Sequence, residues 1–477
     1  MSGNSIYSDS LDFQRQDGIP RPDELCNGSW SPSQKDYARL LHSPSFRRLQ
    51  GKTQLFPSTE SDFFRNRLTH SLEVAQIAAG IARRLNAKEL PEWKTDAKID
   101  VDLVQFSAIA HDLGHPPFGH NGEYALDQLM RAHGGYEGNA QTLRILSTTE
   151  KKLICYEGGS DSSSFGLNLT YRSLASVLKY DKKISAVRRN APSPEKGYYS
   201  MDEDLVRKIK EHVAPNLEDY RKFKTIECSI MDVADDIAYS TYDLEDSLHA
   251  GFASPLHLVS TLNTDEHVRQ TVFRKINEAL HKAGHEVLLK HPEELLVCAA
   301  DLFQMATDLS YEEEASPEAK NVAQHLAVYR KNQELTSDTL MRTRYTAQRV
   351  GSLIEEVELL RDNDFPQLSQ VRLKRDAMIA VELFKHLNFE LIIRSPLLSV
   401  IEHRGQKIVK QLFKSFMESD GNLLPEEWRE EYSLAKNKGT SSARRVICDY
   451  VASLTDIHAA ELHSRLFSDG QSVFKPL

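Results

Sequence analysis

The sequence predicts an all-α protein, and three observations carry that expectation. Apolar residues recur at helical spacing through long segments, most clearly residues 65–85, 225–248 and 446–467. Alternating strand patterns are weak throughout the 477 residues. No internal repeat, glycine-rich phosphate loop or strand–helix–strand nucleotide-binding pattern competes with the helical reading.

Composition narrows the class. A hydrophobic content of 40% and a charged content of 27% are those of a soluble globular chain with ample core. No apolar run approaches the length needed to span a bilayer. The N-terminus M-S-G-N-S-I-Y-S-D-S has neither a basic start nor an apolar centre, so a cytoplasmic location is expected. Cysteines at 26, 155, 228, 298 and 448 form no C-x-x-C pair, which argues against a disulfide framework or a thiolate zinc site. A net charge of −10 gives no global attraction to nucleic acid, although 59 Lys and Arg leave room for a local basic groove.

Taken in order, residues 1–35 are polar and broken by Gly and Pro, which predicts a mostly irregular arm. Helical character begins at Gln34. Residues 43–56 then bring Arg47, Arg48, Lys52 and Gln54 together in a basic, aromatic run, suited either to a solvated helix face or to phosphate. Residues 65–85 predict a helix in which His70 shares a line with Val74, Ile77 and Ile81. A histidine so placed is ordinarily a satisfied core residue; converging imidazoles and carboxylates would make it a ligand. A linker rich in Lys, Glu and Asp leads to the next helix, which ends at His111.

The densest stretch is residues 108–126, A-I-A-H-D-L-G-H-P-P-F-G-H-N-G-E-Y-A-L. Gly114, Pro116, Pro117, Gly119 and Gly122 force a helix to break near Gly114 and restart near Asn121. Val104, Ala108 and His111 lie on one helical line, which puts His111 at the end of a buried face where its ring needs a partner. An adjacent His111–Asp112 pair there can offer an imidazole nitrogen and a carboxylate oxygen to one ion.

Further on, helix is expected to about Ala132, a turn at Gly134-Gly135, and a new helix from near Asn139. A flexible loop is expected over 157–166, helix over 167–180, and an exposed loop over 188–201. In 225–248, Ile230, Val233, Ile237 and Leu244 make the core stripe. Asp235, Tyr239 and Asp243 recur at i, i+4 spacing and share one face, a line that begins with Cys228 and Met231 and so starts buried. Asp236 falls instead with Asp232 and Ser240 on a more plainly polar face, so Asp235 is preferred as a ligand. Helix resumes from Ala253, with charged breaks at 312–318 and 437–442 and a final amphipathic helix over 446–467.

A buried His70, then His111–Asp112, then an acid on a later helix make the order H…HD…D, which resembles the HD-domain metal-dependent phosphohydrolases. Two imidazoles and two carboxylates suit a divalent ion in octahedral geometry, such as Mg²⁺, Mn²⁺ or Fe²⁺. The resemblance tightens over six blocks: R-R-L-Q-G-K-T-Q-L-F, R-L-T-H-S-L-E-V-A-Q-I-A, H-D-L-G-H-P-P-F-G-H-N-G-E, E-G-N-A-Q-T-L-R-I-L, A-D-D-I-A-Y-S-T-Y-D-L-E-D and C-D-Y-V-A-S-L-T-D. In that order they are similar to the bacterial deoxyguanosinetriphosphate triphosphohydrolases.

That resemblance implies an HD-domain helical core with additional C-terminal helices, divided as 1–255 (arm and catalytic core) and 256–477 (a region packing on the core). It implies attack at the α-phosphate of a deoxynucleoside triphosphate, giving deoxynucleoside and inorganic triphosphate. His70, His111, Asp112 and Asp235 match the family's metal ligands, His120 a catalytic histidine and Glu123 its paired acid. Glu123 could orient the His120 ring and raise its pKa, suiting either proton donation to the leaving oxygen or activation of the nucleophile. Gln54, Tyr239 and Asp243 match the sugar-recognition group, where a stacked tyrosine would exclude a 2′-hydroxyl. Arg67, His115, Lys179 and Tyr180 are candidate substrate contacts, with Lys196 a further cation. Asp181 follows the Lys179–Tyr180 pair where the family pattern has proline. The resemblance also implies a homo-oligomer, often a hexamer, and activation by single-stranded DNA or a second dNTP.

Three other readings are weighed. Another HD nucleotide phosphohydrolase or phosphodiesterase would keep the ligands without needing Gln54, Tyr239 and Asp243. An HD protein acting on guanosine tetraphosphate would need a ribose-tolerant pocket. A non-catalytic nucleotide- or DNA-binding regulator would be expected to lose His120 or Glu123, and both are present.

Overall fold

Helices begin where the sequence supplies caps. In the computed structural model, which describes residues 5–8, 10–16, 29–56, 63–91, 98–150, 154–157, 161–188, 193–218, 220–303, 317–393 and 396–468, nineteen α-helices are present among the described residues. The first half carries α1 (Pro32–Leu41), α2 (Pro44–Arg48), α3 (Arg67–Lys88), α4 (Val101–Ala110), α5 (Gly119–Met130), α6 (Gly138–Arg144), α7 (Tyr171–Ser176), α8 (Glu203–Val213) and α9 (Ile226–His249). The second half carries α10 (Pro255–Thr264), α11 (Glu266–Lys282), α12 (Glu294–Leu302), α13 (Pro317–Ser337) and α14 (Thr339–Glu355). After these come α15 (Arg375–Asn388), α16 (Pro396–Glu418), α17 (Glu426–Lys438), α18 (Thr440–Ser453) and α19 (Asp456–Phe467). Ser31 and Asn66 close capping boxes on α1 and α3, and Asp100, Ser254, Asp265, Asp338 and Thr455 cap five more helices with their side chains. The protein is all-α.

Two short two-stranded sheets accompany the helices, β1 (Ile154–Glu157) with β2 (Asp161–Ser164), and β3 (Val357–Leu360) with β4 (Gln370–Leu373). The first replaces the flexible loop expected over 157–166: Ile154 faces Ser164 and Glu157 faces Asp161 in an antiparallel register. Residues 158–160 lie outside the described residues. The helix expected over 167–180 shrinks to α7 (Tyr171–Ser176); at its start Asn168 turns into a positive φ of 51° and arginines claim the carbonyls of Leu167 and Asn168. Arg15 donates to Asn168 O at 2.6 Å and Arg39 to Leu167 O at 3.2 Å. The single final helix expected over 446–467 is two helices: Leu454 is extended (φ −67°, ψ 151°) and Thr455 restarts the chain as the cap of α19. The exposed loop expected over 188–201 is partly buried, since Arg188 and Tyr199 are both in the interior while Met201 is exposed. Residues 189–192 of that loop, 92–97 of the acidic-basic linker and 312–316 of the charged break lie outside the described residues, as does much of the N-terminal arm.

The chain forms two compact units. The first comprises residues 1–232, 359–370 and 400–477; the second comprises 233–358 and 371–399. In the first, α3 packs on α4, and α4 also meets α1 and α7. A second core joins α5 to the C-terminal helices through Ala125, Leu126, Met130, Phe413, Phe416, Ile447 and Val451. Buried ions tie the arm to this unit. Arg172 donates to Glu227 at 2.9 Å beneath the Tyr7 ring, whose hydroxyl also donates to Glu227 at 2.8 Å. Breaking such a pair leaves an uncompensated buried charge, so each partner fixes the other.

In the second unit, α11 lies on α15, with Val272, Ile276 and Leu280 along its buried line. Phe303 meets Phe384 edge-on at 5.3 Å, and Tyr345 donates to Leu302 O at 2.8 Å.

Candidate metal centre and catalytic dyad

The site grows from helix ends. Asn66 accepts from Thr69 N at 3.0 Å and donates its own N–H to Thr69 Oγ1, which fixes the first turn of α3. Arg67 opens that turn and His70 follows one turn later, on the line that continues through the fully buried Val74, Ile77 and Ile81. On α4, His111 caps the C-terminus, and its Nδ1 sits 2.6 Å from Ala108 O. That bond places the proton on Nδ1 and leaves the Nε2 lone pair for a ligand. The two imidazoles lie with centroids 5.6 Å apart.

His70, His111 and Asp235 each offer one ligand atom, and these atoms all lie within 4.8 Å of one another. The donor set of two imidazoles and a carboxylate fits a divalent ion of borderline hardness. Asp235 stands on α9 beside Asp236, and the two acids differ in their partners. Lys385 donates to Asp236 at 3.0 Å and to Glu382 at 3.2 Å, so Asp236 belongs to a side-chain network on α15. Asp232, one turn earlier, is bonded by both Lys179 (2.8 Å) and Lys224. Ser240 is buried and donates to Ile237 O at 3.0 Å, so this face of α9 is less polar in setting than its sequence suggests.

Asp112 is outside the 4.8 Å group. Arg67 Nη1 donates to its Oδ2 at 2.7 Å, while Oδ1 faces His115 Nδ1 at 3.0 Å and His111 Nε2 at 3.2 Å. Burial alone would raise its pKa, but His111, Arg67 and His115 outweigh burial and hold the carboxyl well below the usual range. The His115 pKa is lowered too, to about 4, through burial first and then the Arg67 guanidinium, against the opposing pull of Asp112.

Beyond Asp112 the chain makes a tight turn that only glycine permits at two points. A Cβ on Gly114 would lie 2.0 Å from Gly138 O, and one on Gly122 2.0 Å from Pro117 O. Phe118 enters the left-handed region at φ 63° and starts α5. His120 and Glu123 follow on its first turn. His120 Nδ1 is 2.9 Å from Glu123 Oε2; the histidine side chain is 76% exposed and the glutamate 4%. Glu123 is anchored from behind by Gly138 N, which donates to Oε1 at 3.0 Å, with Lys196 Nζ at 3.6 Å. Burial raises the Glu123 pKa, yet the bond from His120 and the Lys196 charge hold it well below the carboxylate range. An ionised, buried acid thus fixes an exposed imidazole. The His115 ring lies edge-on to His120 at 5.3 Å, linking the dyad to Asp112.

Gln54 follows the short turn Leu49–Gly51, and its Oε1 is buried without a hydrogen bond. Tyr239 and Asp243 share a face of α9; burial, then Asp243 and Asp235, raises the Tyr239 phenol. Lys179 is bonded to Asp232 and lies 6.0 Å from the Tyr180 ring. Burial also raises the Tyr180 phenol. Lys196 is held by Glu137 at 3.0 Å. Sequence reasoning assigned no role to Glu137 or Lys385; it placed Lys52 only within the basic run 43–56 and Asp232 only on the polar face of 225–248.

An HD domain model matches residues 67–153, the span that holds His70, the Asp112 turn and the dyad. A model described as a phosphohydrolase-associated domain matches residues 371–465. The HD domain is a metal-dependent hydrolase fold, in accord with the His70–His111–Asp235 group. A deoxyguanosinetriphosphate triphosphohydrolase-like protein 2 of Mesorhizobium japonicum is 41% identical over 458 residues, covering 93% of this chain and 94% of that one. Deoxyguanosinetriphosphate triphosphohydrolase-like proteins of Shewanella sediminis and Aliivibrio fischeri are 33% and 35% identical, over 93% and 92% of this chain and 93% and 94% of theirs. Among the described residues no helix is long and apolar enough to cross a membrane. Similarity over nearly the whole length of these relatives shows that the chain belongs to the deoxyguanosinetriphosphate triphosphohydrolase-like family of HD-domain hydrolases.

Proposed function

We propose that the protein hydrolyses deoxynucleoside triphosphates at the α-phosphate, releasing deoxynucleoside and inorganic triphosphate, with dGTP as the reference substrate. The observation that carries this reading is the dyad: an exposed imidazole oriented by a buried, ionised carboxylate, reached from the His70–His111–Asp235 group through Asp112 and His115. His70, His111 and Asp235 would hold a divalent ion, Mn²⁺, Mg²⁺ or Fe²⁺, with Asp112 as a fourth ligand. The chemistry such an ion supplies is acidification of a water and neutralisation of phosphate charge.

The chain's own groups do the rest. Arg67, already bonded to Asp112, presents a guanidinium suited to phosphate oxygens. His120 exchanges one proton, either taking it from the attacking water or giving it to O5′ as the Pα–O5′ bond breaks. Glu123 keeps that ring in one tautomer and one orientation. The unbonded Oε1 of Gln54 is an acceptor for a sugar hydroxyl, and Tyr239 and Asp243, which match the family's sugar-recognition group, would select against a 2′-hydroxyl. Tyr180 and Lys179 would contribute at the triphosphate. Homo-oligomeric assembly and activation by single-stranded DNA or a second dNTP belong to the same proposal.

Anion-exchange analysis of products from each of the four dNTPs and GTP, under Mn²⁺ and under Mg²⁺, tests it. Deoxynucleoside with intact triphosphate is the expected result. Free phosphate or pyrophosphate would assign a different HD hydrolysis.

A further inference from the structure

We infer that Asp456, the first residue of α19, is a positioning residue that holds both loops of the proposed active site; the inference rests on the functional reading above and deepens it. Its carboxylate is divided between two backbone donors. Phe118 N donates to Oδ1 at 2.8 Å, and Thr53 N donates to Oδ2 at 2.9 Å. Phe118 is the residue in the left-handed region, a conformation that side chains bearing a Cβ rarely adopt, and it stands two residues before His120. Thr53 stands immediately before Gln54.

Neighbouring contacts make the same junction. Lys52 Nζ donates to Ala452 O at 3.0 Å and also to the carbonyl of His115. Gly51 lies so close to the cap of α19 that a Cβ there would be 2.8 Å from the Thr455 Cβ and Cγ2. On the other side, a Cβ at Gly405 of α16 would be 2.8 Å from Phe118 Cβ and Cγ. Residues 452–456 therefore seat the turn before His120 and the segment before Gln54 against one helix start. The helix break at Leu454–Thr455 is what brings the carboxylate to both. A carboxylate offers a separate oxygen to each amide; an asparagine in the same orientation has one oxygen to accept and turns its NH₂ group toward the other N–H, so it serves one of the two. Neither of these bonds involves His70, His111 or Asp235, so the role is separable from metal retention.

The test uses the full chain carrying Asp456→Ala and, separately, Asp456→Asn. Four quantities are compared with wild type: kcat, deoxy-over-ribo selectivity, bound Mn²⁺, and amide exchange of peptides containing Thr53 and Phe118. The alanine variant should exchange faster at both segments and keep its metal. Per folded molecule its kcat should fall about ten- to a hundredfold, with reduced deoxy-over-ribo selectivity. The asparagine variant should retain one protected segment and recover the matching property only: rate if Phe118 stays bonded, selectivity if Thr53 does. A purely structural role would lower the melting temperature and leave rate and selectivity per folded molecule unchanged. That result, or unaltered exchange at both segments, overturns the inference. If the alanine variant does not fold, Asp456→Asn carries the same readouts. A wild-type chain with no nucleotide turnover even when single-stranded DNA and a second dNTP are supplied would defeat the functional reading instead, and exchange would still decide whether the junction exists.

Discussion

The two halves of the proposed site are held by different means. The metal side is built on regular helix: His70 rides a fully apolar line of α3, and His111 ends α4 bonded to a carbonyl of its own helix three residues back. The dyad side stands on a turn with a left-handed phenylalanine and two glycines that admit no Cβ, and it leans on an acid 338 residues away in the chain. Local structure sets the two imidazoles of the first half: the capping box of α3 precedes His70, and a bond within α4 orients His111. The second half depends on tertiary contacts, and that divides the consequences of mutation.

The largest expected effect is on the metal side. Asp112→Ala removes a candidate ligand and leaves Arg67 buried beside an empty space; both metal retention and turnover should be lost, the rate by about 10³-fold or more. Metal content and dNTP turnover on the same sample check this, and an active, metal-replete variant would sink the assignment. Next comes the dyad. His120→Ala should keep its metal while kcat falls by about 10²–10⁴. Metal loss in that variant would make His120 a ligand and erase the distinction between the two halves. Glu123→Gln should lower kcat by about 10–100-fold, as expected for a group that orients the one doing the chemistry. A larger fall than for His120→Ala would assign the proton transfer to Glu123 itself.

A smaller effect is expected in the sugar pocket. Tyr239→Ala should reduce deoxy-over-ribo discrimination by about tenfold or more while sparing metal, read from kcat/KM for dGTP and GTP. Unchanged discrimination removes Tyr239 from that pocket.

The smallest effect concerns stability against pH at Lys52. Burial pushes this lysine down to about 7 from 10.5, against the opposing charge of Asp456. Between those values the unfolded chain holds a proton that the folded chain lacks, so this group makes stability rise with pH across the window. The slope is at most about 1.4 kcal/mol per pH unit. Chemical denaturation of wild type and Lys52→Met from pH 7 to 9 isolates it: the variant should lose that rise. Parallel slopes would contradict it.

The same division governs what could be read from the sequence. Helical periodicity alone aligned His70 with a buried stripe and set Asp235, Tyr239 and Asp243 on one face, because both are properties of a single helix. The glycines and prolines around His115 announced the turn for the same reason. What escaped was support from elsewhere in the chain. Lys385, 149 residues from Asp236, draws that acid into its own network, and no spacing rule reaches so far. The break at Leu454–Thr455 was hidden because apolar periodicity runs on either side of it, and only the Thr455 cap marks the restart. The serine-rich hairpin of β1 and β2 lacks the alternation that identifies a strand, so it read as loop.

The central claim is metal-assisted attack of water on the α-phosphorus, with a proton exchanged by His120. Turnover of dGTP in ¹⁸O-water, with mass analysis of both products, tests it most directly. Attack at phosphorus with cleavage of Pα–O5′ puts one ¹⁸O in the inorganic triphosphate and none in deoxyguanosine. Label in the deoxyguanosine, or release of labelled phosphate or pyrophosphate, would contradict the account.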